Sequence, residues 1–266
     1  MEKCILITGA CGGLGKAFVR ECAKEQRTLV LTGTSQKKLD ALLEEFKDEF
    51  KDIKVHTVVC NLAKPEDRKS LVEYVEKQGL QVSRLINNAG VIIEGDLLRF
   101  EDDEILNAIR VNCEGTIDIT QKFLKLRDES DKFEVLTVSS VASSYPIPHF
   151  AIYAATKAFL TSMMTALAIE FKKKNVVFTT VNPGGMATTD AMKESIKSMG
   201  LGGRLSAVSV EKVAKVSLKA LKRKKVNVVP GFFNKILVGV SKPFSKKFMA
   251  VNSGKLYAKS QSKRNF

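Results

Sequence analysis

Tyr153 and Lys157 stand four residues apart in Tyr153-Ala154-Ala155-Thr156-Lys157, and on a helix that spacing puts both on one face. A phenol beside an ammonium can serve as a general acid or base. The cation stabilises phenolate and lowers a tyrosine pKa from about 10 toward the working range. A YxxxK pattern by itself is common and usually marks a solvated helix face, so the pair needs company. Ser140 lies upstream, at the end of the apolar run Val135-Leu136-Thr137-Val138-Ser139. Near the N-terminus, Thr8-Gly9-Ala10-Cys11-Gly12-Gly13-Leu14-Gly15 joins an apolar run to a helical one. Glycines let the backbone turn tightly and approach a pyrophosphate, and the following helix N-terminus offers free N–H groups and partial positive charge. An ordinary strand-to-helix turn is the plainer account of such a loop, but its place after the first strand of an α/β pattern favours nucleotide binding.

The elements that would position these groups alternate along the chain. Short β-branched runs at 4–8, 28–32, 54–59, 84–87, 134–139, 176–181 and 225–229 are separated by helical periods near 14–25, 36–50, 66–78, 101–126, 154–174 and 210–223. Runs such as Ile5-Leu6-Ile7 and Leu29-Val30-Leu31 are continuously apolar, as a parallel sheet covered on both faces requires. The pattern predicts a single-domain α/β fold, a doubly wound, Rossmann-like parallel sheet of about seven strands with ligands beyond the strands' carboxyl ends. Residues 1–230 form the expected catalytic domain, including a substrate loop at 189–206, and residues 231–266 a basic amphipathic C-terminal extension.

The glycine spacing is GxxxGxG, and TGACGGLG resembles the TGxxxGxG loop of the short-chain dehydrogenases/reductases. Further motifs follow in that family's order: Asn87-Asn88-Ala89-Gly90, Asn112, Ser140, the Tyr153/Lys157 pair, and Asn182-Pro183-Gly184-Gly185-Met186-Ala187-Thr188. The resemblance implies a catalytic set of Asn112, Ser140, Tyr153 and Lys157. Tyr153 would exchange a proton with the substrate oxygen, and Ser140 would hydrogen-bond and orient that oxygen. Lys157 would lower the tyrosine pKa and bind the nicotinamide ribose, while Asn112 would hold a water linking Lys157 to solvent. It further implies cofactor contacts from Thr8, Gly9, Gly13, Leu14 and Gly15, from Asn88, Ala89 and Gly90, from Tyr153 and Lys157, and from Pro183, Gly184 and Thr188.

The second strand ends Leu31-Thr32-Gly33-Thr34-Ser35 without the acid that would accept adenosine ribose hydroxyls and repel a 2′-phosphate. Thr34, Ser35 and the lysines that follow can accommodate that phosphate, so NADP(H) is expected, with NAD(H) as the alternative. Asn61 and Leu62 stand where the family places an aspartate and a hydrophobic residue near adenine, and Asn61 keeps an acceptor oxygen without the charge.

The substrate segment carries Met186, Met192, Ile196, Met199 and Leu201 among Gly200, Gly202 and Gly203. That composition suits an apolar or amphipathic carbonyl compound. Lys193, Lys197 and Arg204 read as solvated, and His149 either lines the cleft or sits on an exposed loop.

The formal net charge of +14 is confined to the C-terminal part, since Glu211–Phe266 holds fifteen Lys or Arg and one acid. Beyond Gly231, Phe233, Ile236, Leu237, Val240, Phe244 and Phe248 fall on one side of a helix that Pro243 would kink, with lysines opposite. The segment either covers the catalytic domain or a partner subunit, or touches an anionic membrane peripherally. No nucleic-acid motif accompanies the lysines. Five cysteines without a CxxC pair and two histidines support neither a disulfide framework nor a metal site, and no signal peptide is read, so a cytoplasmic setting is expected. The resemblance implies a homodimer or homotetramer built on the helices near 101–126 and 154–174. The competing class is a non-catalytic NAD(P)-binding sensor or scaffold.

Overall fold

A computed structural model describes residues 1–25, 27–187, 196 and 200–261. Strands β1 (Glu2–Ile7), β2 (Thr28–Gly33), β3 (Val55–Val59), β4 (Leu80–Asn87), β5 (Phe133–Val138), β6 (Val176–Val181) and β7 (Asn227–Val228) form one parallel sheet in the order β3-β2-β1-β4-β5-β6-β7. The helices among the described residues are α1 (Gly13–Ala23), α2 (Gln36–Glu45), α3 (Pro65–Lys77), α4 (Asp102–Ile109), α5 (Thr116–Lys125), α6 (Ala151–Glu170), α7 (Gly200–Ser206), α8 (Val210–Lys222), α9 (Phe232–Ser241) and α10 (Lys246–Gln261).

The continuously apolar strands behave as their composition requires. Ile5 and Ile7 of β1 join Leu29 and Leu31 of β2 under Phe18, Leu39, Val213 and Leu221 of α1, α2 and α8. The intervening Cys4, Leu6 and Val30 point the other way, into a second core with Leu71, Ile119, Phe123 and Met164 of α3, α5 and α6. Strand order reverses between β1 and β4, so the loops leaving their carboxyl ends open a crevice there. The glycine loop follows β1 and Asn88–Gly90 follows β4, which puts both on the walls of that crevice.

Several boundaries differ from the sequence reading: the helix read over 36–50 ends at Glu45, the one read over 154–174 spans Ala151–Glu170, and three further differences have a physical cause. Strand β4 starts at Leu80 rather than Arg84, because the polar Gln81 and Ser83 break the apolar pattern ahead of the buried Arg84. Its guanidinium donates to Glu134 at 2.7 Å and Glu25 at 3.0 Å. The expected helix over 101–126 is interrupted: Arg110–Gly115 forms a π-type turn between α4 and α5. Arg68, buried on α3, donates to the Leu62 carbonyl, Glu114 and Asp118 and so clamps this turn. Gly115 is required there, since a Cβ would lie 2.5 Å from the Leu62 oxygen. The kinked C-terminal helix is two helices, with Pro243 in the turn between α9 and α10.

Burial alone would raise the Glu134 and Glu25 carboxyls, yet Arg84 holds both below the usual carboxylate range. Their stabilisation is therefore present above the unfolded pKa of about 4 and is lost as pH falls through the depressed folded values. Glu134→Gln should cost about 3 kcal/mol at pH 7, because it strips a buried arginine of one partner. Denaturant titrations across acid pH should show a shallower loss of stability in the variant than in the parent.

Candidate active site

A cleft of about 720 Å³ runs along the carboxyl edge of the sheet from the glycine loop to Met186. Its first wall is built by backbone packed on backbone. Gly9 has φ of +63°, and a Cβ there would come 2.8 Å from the Ala89 Cα; at Gly15 it would come 2.2 Å from the Gly9 oxygen. Gly12 is different, because its Cβ would meet nothing nearer than 3.5 Å. Helix α1 begins at Gly13 with no side-chain cap and no acid in its first turn. Its leading N–H groups are therefore available to an anionic ligand, and Gly13, Leu14 and Gly15 all line the cleft.

Thr8, expected at the cofactor, is fully buried and is not among the residues lining the cleft. Its hydroxyl donates to the Ile86 carbonyl and accepts from the N–H groups of Asn88 and Ala89 at 3.0 and 3.1 Å. Asn88 replies through its amide, donating to the carbonyls of Thr8 and Gly9. These bonds stitch the two loops together, and Asn88, Ala89 and Gly90 line the cleft as expected.

At the other end of the glycine wall, Thr34 faces the cleft and Ser35 does not. Ser35 instead precedes α2 with its side chain making no capping bond. Lys38, one turn into α2, joins the lining, and no carboxylate does among the described residues. The chemistry of this end fits a phosphorylated ribose. Asn61 and Leu62 line the cleft, but the acceptor oxygen expected of Asn61 already takes the Ala63 N–H at 3.0 Å. The Asn61 N–H in turn donates to Asp67.

The four expected catalytic residues converge where β5, the π-type turn and α6 meet. The Ser140 hydroxyl accepts the Ala142 N–H at 3.1 Å and lies close enough to the Tyr153 hydroxyl to lower its pKa. Lys157 is buried, donates to the Val138 carbonyl at 3.0 Å and lies 5.7 Å from the centre of the Tyr153 ring. Asn112 is fully buried. It accepts the Val91 N–H at 2.8 Å, donates to the Val91 carbonyl at 2.9 Å and reaches Thr156 at 3.1 Å. Its side chain therefore pins the loop after β4. A Cβ at Gly90 would sit 3.2 Å from Lys157 Nζ and 3.3 Å from Asn112 Oδ1, so these three meet at one point.

The electrostatics correct one expectation. Lys157 was expected to lower the Tyr153 pKa, but burial pushes that phenol up, with the Ser140 hydrogen bond pulling the other way. Burial also pushes the Lys157 ammonium down to about 8. Desolvation is the largest cause of both shifts, opposed by Ser140 at Tyr153 and by Cys113 at Lys157.

Pro183 and Gly184 close the far end of the cleft, and the Pro183 carbonyl accepts the Val141 N–H. Thr188 and most of the substrate segment, 189–195 and 197–199, lie outside the described residues. The residue that sequence reasoning missed here is Asn234 of α9. It is buried, donates to the carbonyls of Ser206 and Pro230 at 3.0 Å, and would be 2.5 Å from a Cβ on Gly184. A lone asparagine within Phe232-Phe233-Asn234-Lys235-Ile236 was its only signal. Ser139 was also passed over, although it donates to the Lys157 carbonyl at 2.8 Å and helps fix the helix register. His149 is exposed and stacks on Tyr257 of α10 at 4.5 Å. No group of three metal-ligating side chains occurs among the described residues.

Comparison with known proteins agrees with this construction. The profile of the short chain dehydrogenase family matches residues 3–200. The very-long-chain 3-oxoacyl-CoA reductase of Neurospora crassa is 34% identical over 64% of this chain and 52% of its own length. The Bos taurus protein of the same name is 32% identical over 69% of this chain and 59% of its own, so the chain spans little more than half of these relatives. The 3-oxoacyl-(acyl-carrier-protein) reductase FabG of Thermotoga maritima is 31% identical over 75% of this chain and 81% of its own length. A 7beta-hydroxysteroid dehydrogenase structure superposes with a TM-score of 0.84 at 22% identity, covering 94% of this chain and 96% of that one. The L-sorbose reductase of Gluconobacter frateurii, solved with NADPH, gives 0.75 at 22% identity over 87% and 97%. With the glycine loop, the Asn88–Gly90 loop and the Ser140, Tyr153 and Lys157 groups on one cleft, this chain belongs to the short-chain dehydrogenase/reductase family.

Proposed function

We propose that the chain is an oxidoreductase that transfers a hydride between NADP(H) and the carbonyl or secondary alcohol of an apolar or amphipathic substrate. One observation carries the reading: Ser140, Tyr153 and a buried Lys157, 5.7 Å from the Tyr153 ring centre, open onto the same cleft as the glycine loop. When bound, the nicotinamide supplies or accepts the hydride. Tyr153 then gives its proton to the substrate oxygen during reduction, or takes it during oxidation, and Ser140 holds that oxygen in place. Lys157 keeps a positive charge beneath the developing phenolate and would hold the ribose hydroxyls of the cofactor, while Asn112 fixes the loop that flanks it. A pure nucleotide sensor would have no need for the Tyr153–Lys157 acid/base pair with Ser140 beside it.

The NADP(H) preference rests on Lys38 and Thr34 in the wall and on the lack of a carboxylate there. A smaller cavity of about 240 Å³ beside the start of α6, lined by Ile93, Leu97, Phe100, Pro148 and Ile152 together with Asp96 and His149, supports an amphipathic substrate body. So do the names of the curated relatives, which include very-long-chain 3-oxoacyl-CoA reductases and the human 17-beta-hydroxysteroid dehydrogenase type 3. Exposed Leu106, Ile109, Ile117, Phe159 and Ile169 on α4, α5 and α6 support a homodimer through those helices. All five cysteines are free thiols, in keeping with a reducing, cytoplasmic setting.

Oxidation of NADPH against ketones graded by chain length should reveal turnover that Tyr153→Phe reduces about 10²- to 10⁴-fold, the range for loss of a positioned acid/base group. Full activity in the variant would defeat the mechanism. Lys38→Glu should lower kcat/KM for NADPH by about 10- to 100-fold, the worth of one charge-assisted contact, and leave NADH use nearly unchanged. Lys157→Met should abolish turnover yet raise stability at pH 7 by on the order of 3 kcal/mol. The folded state binds the lysine proton less tightly than the unfolded chain, so the penalty is complete below about pH 8 and is relieved as pH rises toward the unfolded pKa of about 10.4. Melting curves of the two proteins should therefore converge across that interval.

A further inference from the structure

Helix α9 is set on the domain the wrong way round for a soluble helix. The residues it buries fully are Asn234 and Ser241, both polar, and Phe233, Leu237 and Val238 are half-buried, whereas Phe232, Ile236 and Val240 face outward. Phe232, Ile236, Val240, Phe244 and Phe248 recur every four residues, and Val251 continues the line along α10. All six are exposed, from 45% at Phe244 to 81% at Phe232. Phe244 and Phe248 stack at 4.7 Å and carry the stripe across the break at Pro243. A surface helix normally turns such a stripe inward, and contiguous exposed apolar surface marks an interaction site.

The charges beside the stripe indicate what covers it. Lys235, Lys242, Lys246, Lys247 and Lys255 are exposed and have no ion-pair partner among the described residues. The stretch Glu211–Phe266 contains one acid against fifteen basic residues. A second copy of so basic a face would be repelled. We propose that α9 and α10 dock the protein on an anionic lipid bilayer, with the stripe at the level of the acyl boundary and the lysines at the headgroups.

The docked helix also reaches the reaction site. Ser253 of α10 donates to the Pro146 carbonyl at 3.1 Å, and Tyr257 stacks on His149. Tyr257 also meets Phe150 edge-on at 5.9 Å, and Phe150 meets Tyr153 at 6.4 Å. The lipid-facing element thus covers the loop that enters α6, and an amphipathic substrate would pass from the bilayer to Tyr153 beside it. That delivery step rests on the carbonyl oxidoreductase reading, whereas docking does not.

The test is co-sedimentation of the full chain with vesicles of phosphatidylcholine alone and of phosphatidylcholine mixed with phosphatidylglycerol. The parent should pellet with the mixed vesicles only. Removing one lysine near an anionic surface weakens binding about fivefold, so the Lys242→Gln, Lys246→Gln, Lys247→Gln triple variant should bind about a hundredfold more weakly. Val240→Glu with Phe244→Glu should release the protein while its melting temperature and NADPH affinity stay at parental values. Equal pelleting of parent and variants, or pelleting of none, overturns the proposal. So would a change in sedimentation coefficient showing that the glutamate pair splits a dimer. A parent that binds vesicles yet reduces no ketone would sink the enzymatic reading and leave docking intact.

Discussion

The structure depends on holding the Lys157 ammonium in the interior without a carboxylate beside it. Burial pushes its pKa down to about 8, and the contact that keeps the charge there is the Val138 carbonyl at the end of β5. Everything near it is arranged around that unfavourable group. Ser139 ties the α6 backbone at Lys157, Gly90 leaves space against Nζ, and Asn112 fixes the loop in which Gly90 lies. A buried cation tolerated at such cost belongs with proton chemistry rather than with stability.

Support for that point comes from parts of the chain far apart in sequence. Arg68 on α3 clamps the π-type turn that carries Asn112, and the turn swings this side chain onto Val91 where a regular helix would aim it elsewhere. Thr8, at the end of β1, holds the same β4 loop from the other side. The nucleotide wall and the proton-transfer wall are thus braced through one shared segment, Asn88–Val91. Strain at either wall would be felt by the other.

The C-terminal helices add a second layer. Asn234 supports the turn at Gly184, and α10 covers the loop that leads into α6. The tail is therefore joined at two points to the catalytic end of the cleft and leaves an apolar stripe exposed.

Much of this was legible in the residues. Uninterrupted apolar runs such as Cys4–Ile7 can be buried on both faces only in a covered parallel sheet, so the fold class followed from composition and order. The glycine loop and the Tyr153/Lys157 pair were legible because each needs fixed local spacing. What depended on long-range contacts was not. Strand β4 was read short because Gln81 and Ser83 interrupt the apolar pattern, and its first residues are fixed by pairing with β1 almost eighty residues away. The π-type turn, the withdrawal of Thr8 from the cleft and the use of the Asn61 oxygen on Ala63 all turn on hydrogen bonds whose partners no local pattern names. The sign of the Tyr153 shift was missed because spacing reports the charge between two groups and not the water removed from around them. By itself the sequence determined the sheet, the order of the motifs and the amphipathic character of the tail. Only the tertiary structure decided how deeply the reacting groups are buried and which side of α9 faces outward, because burial and orientation are properties of what packs against a residue.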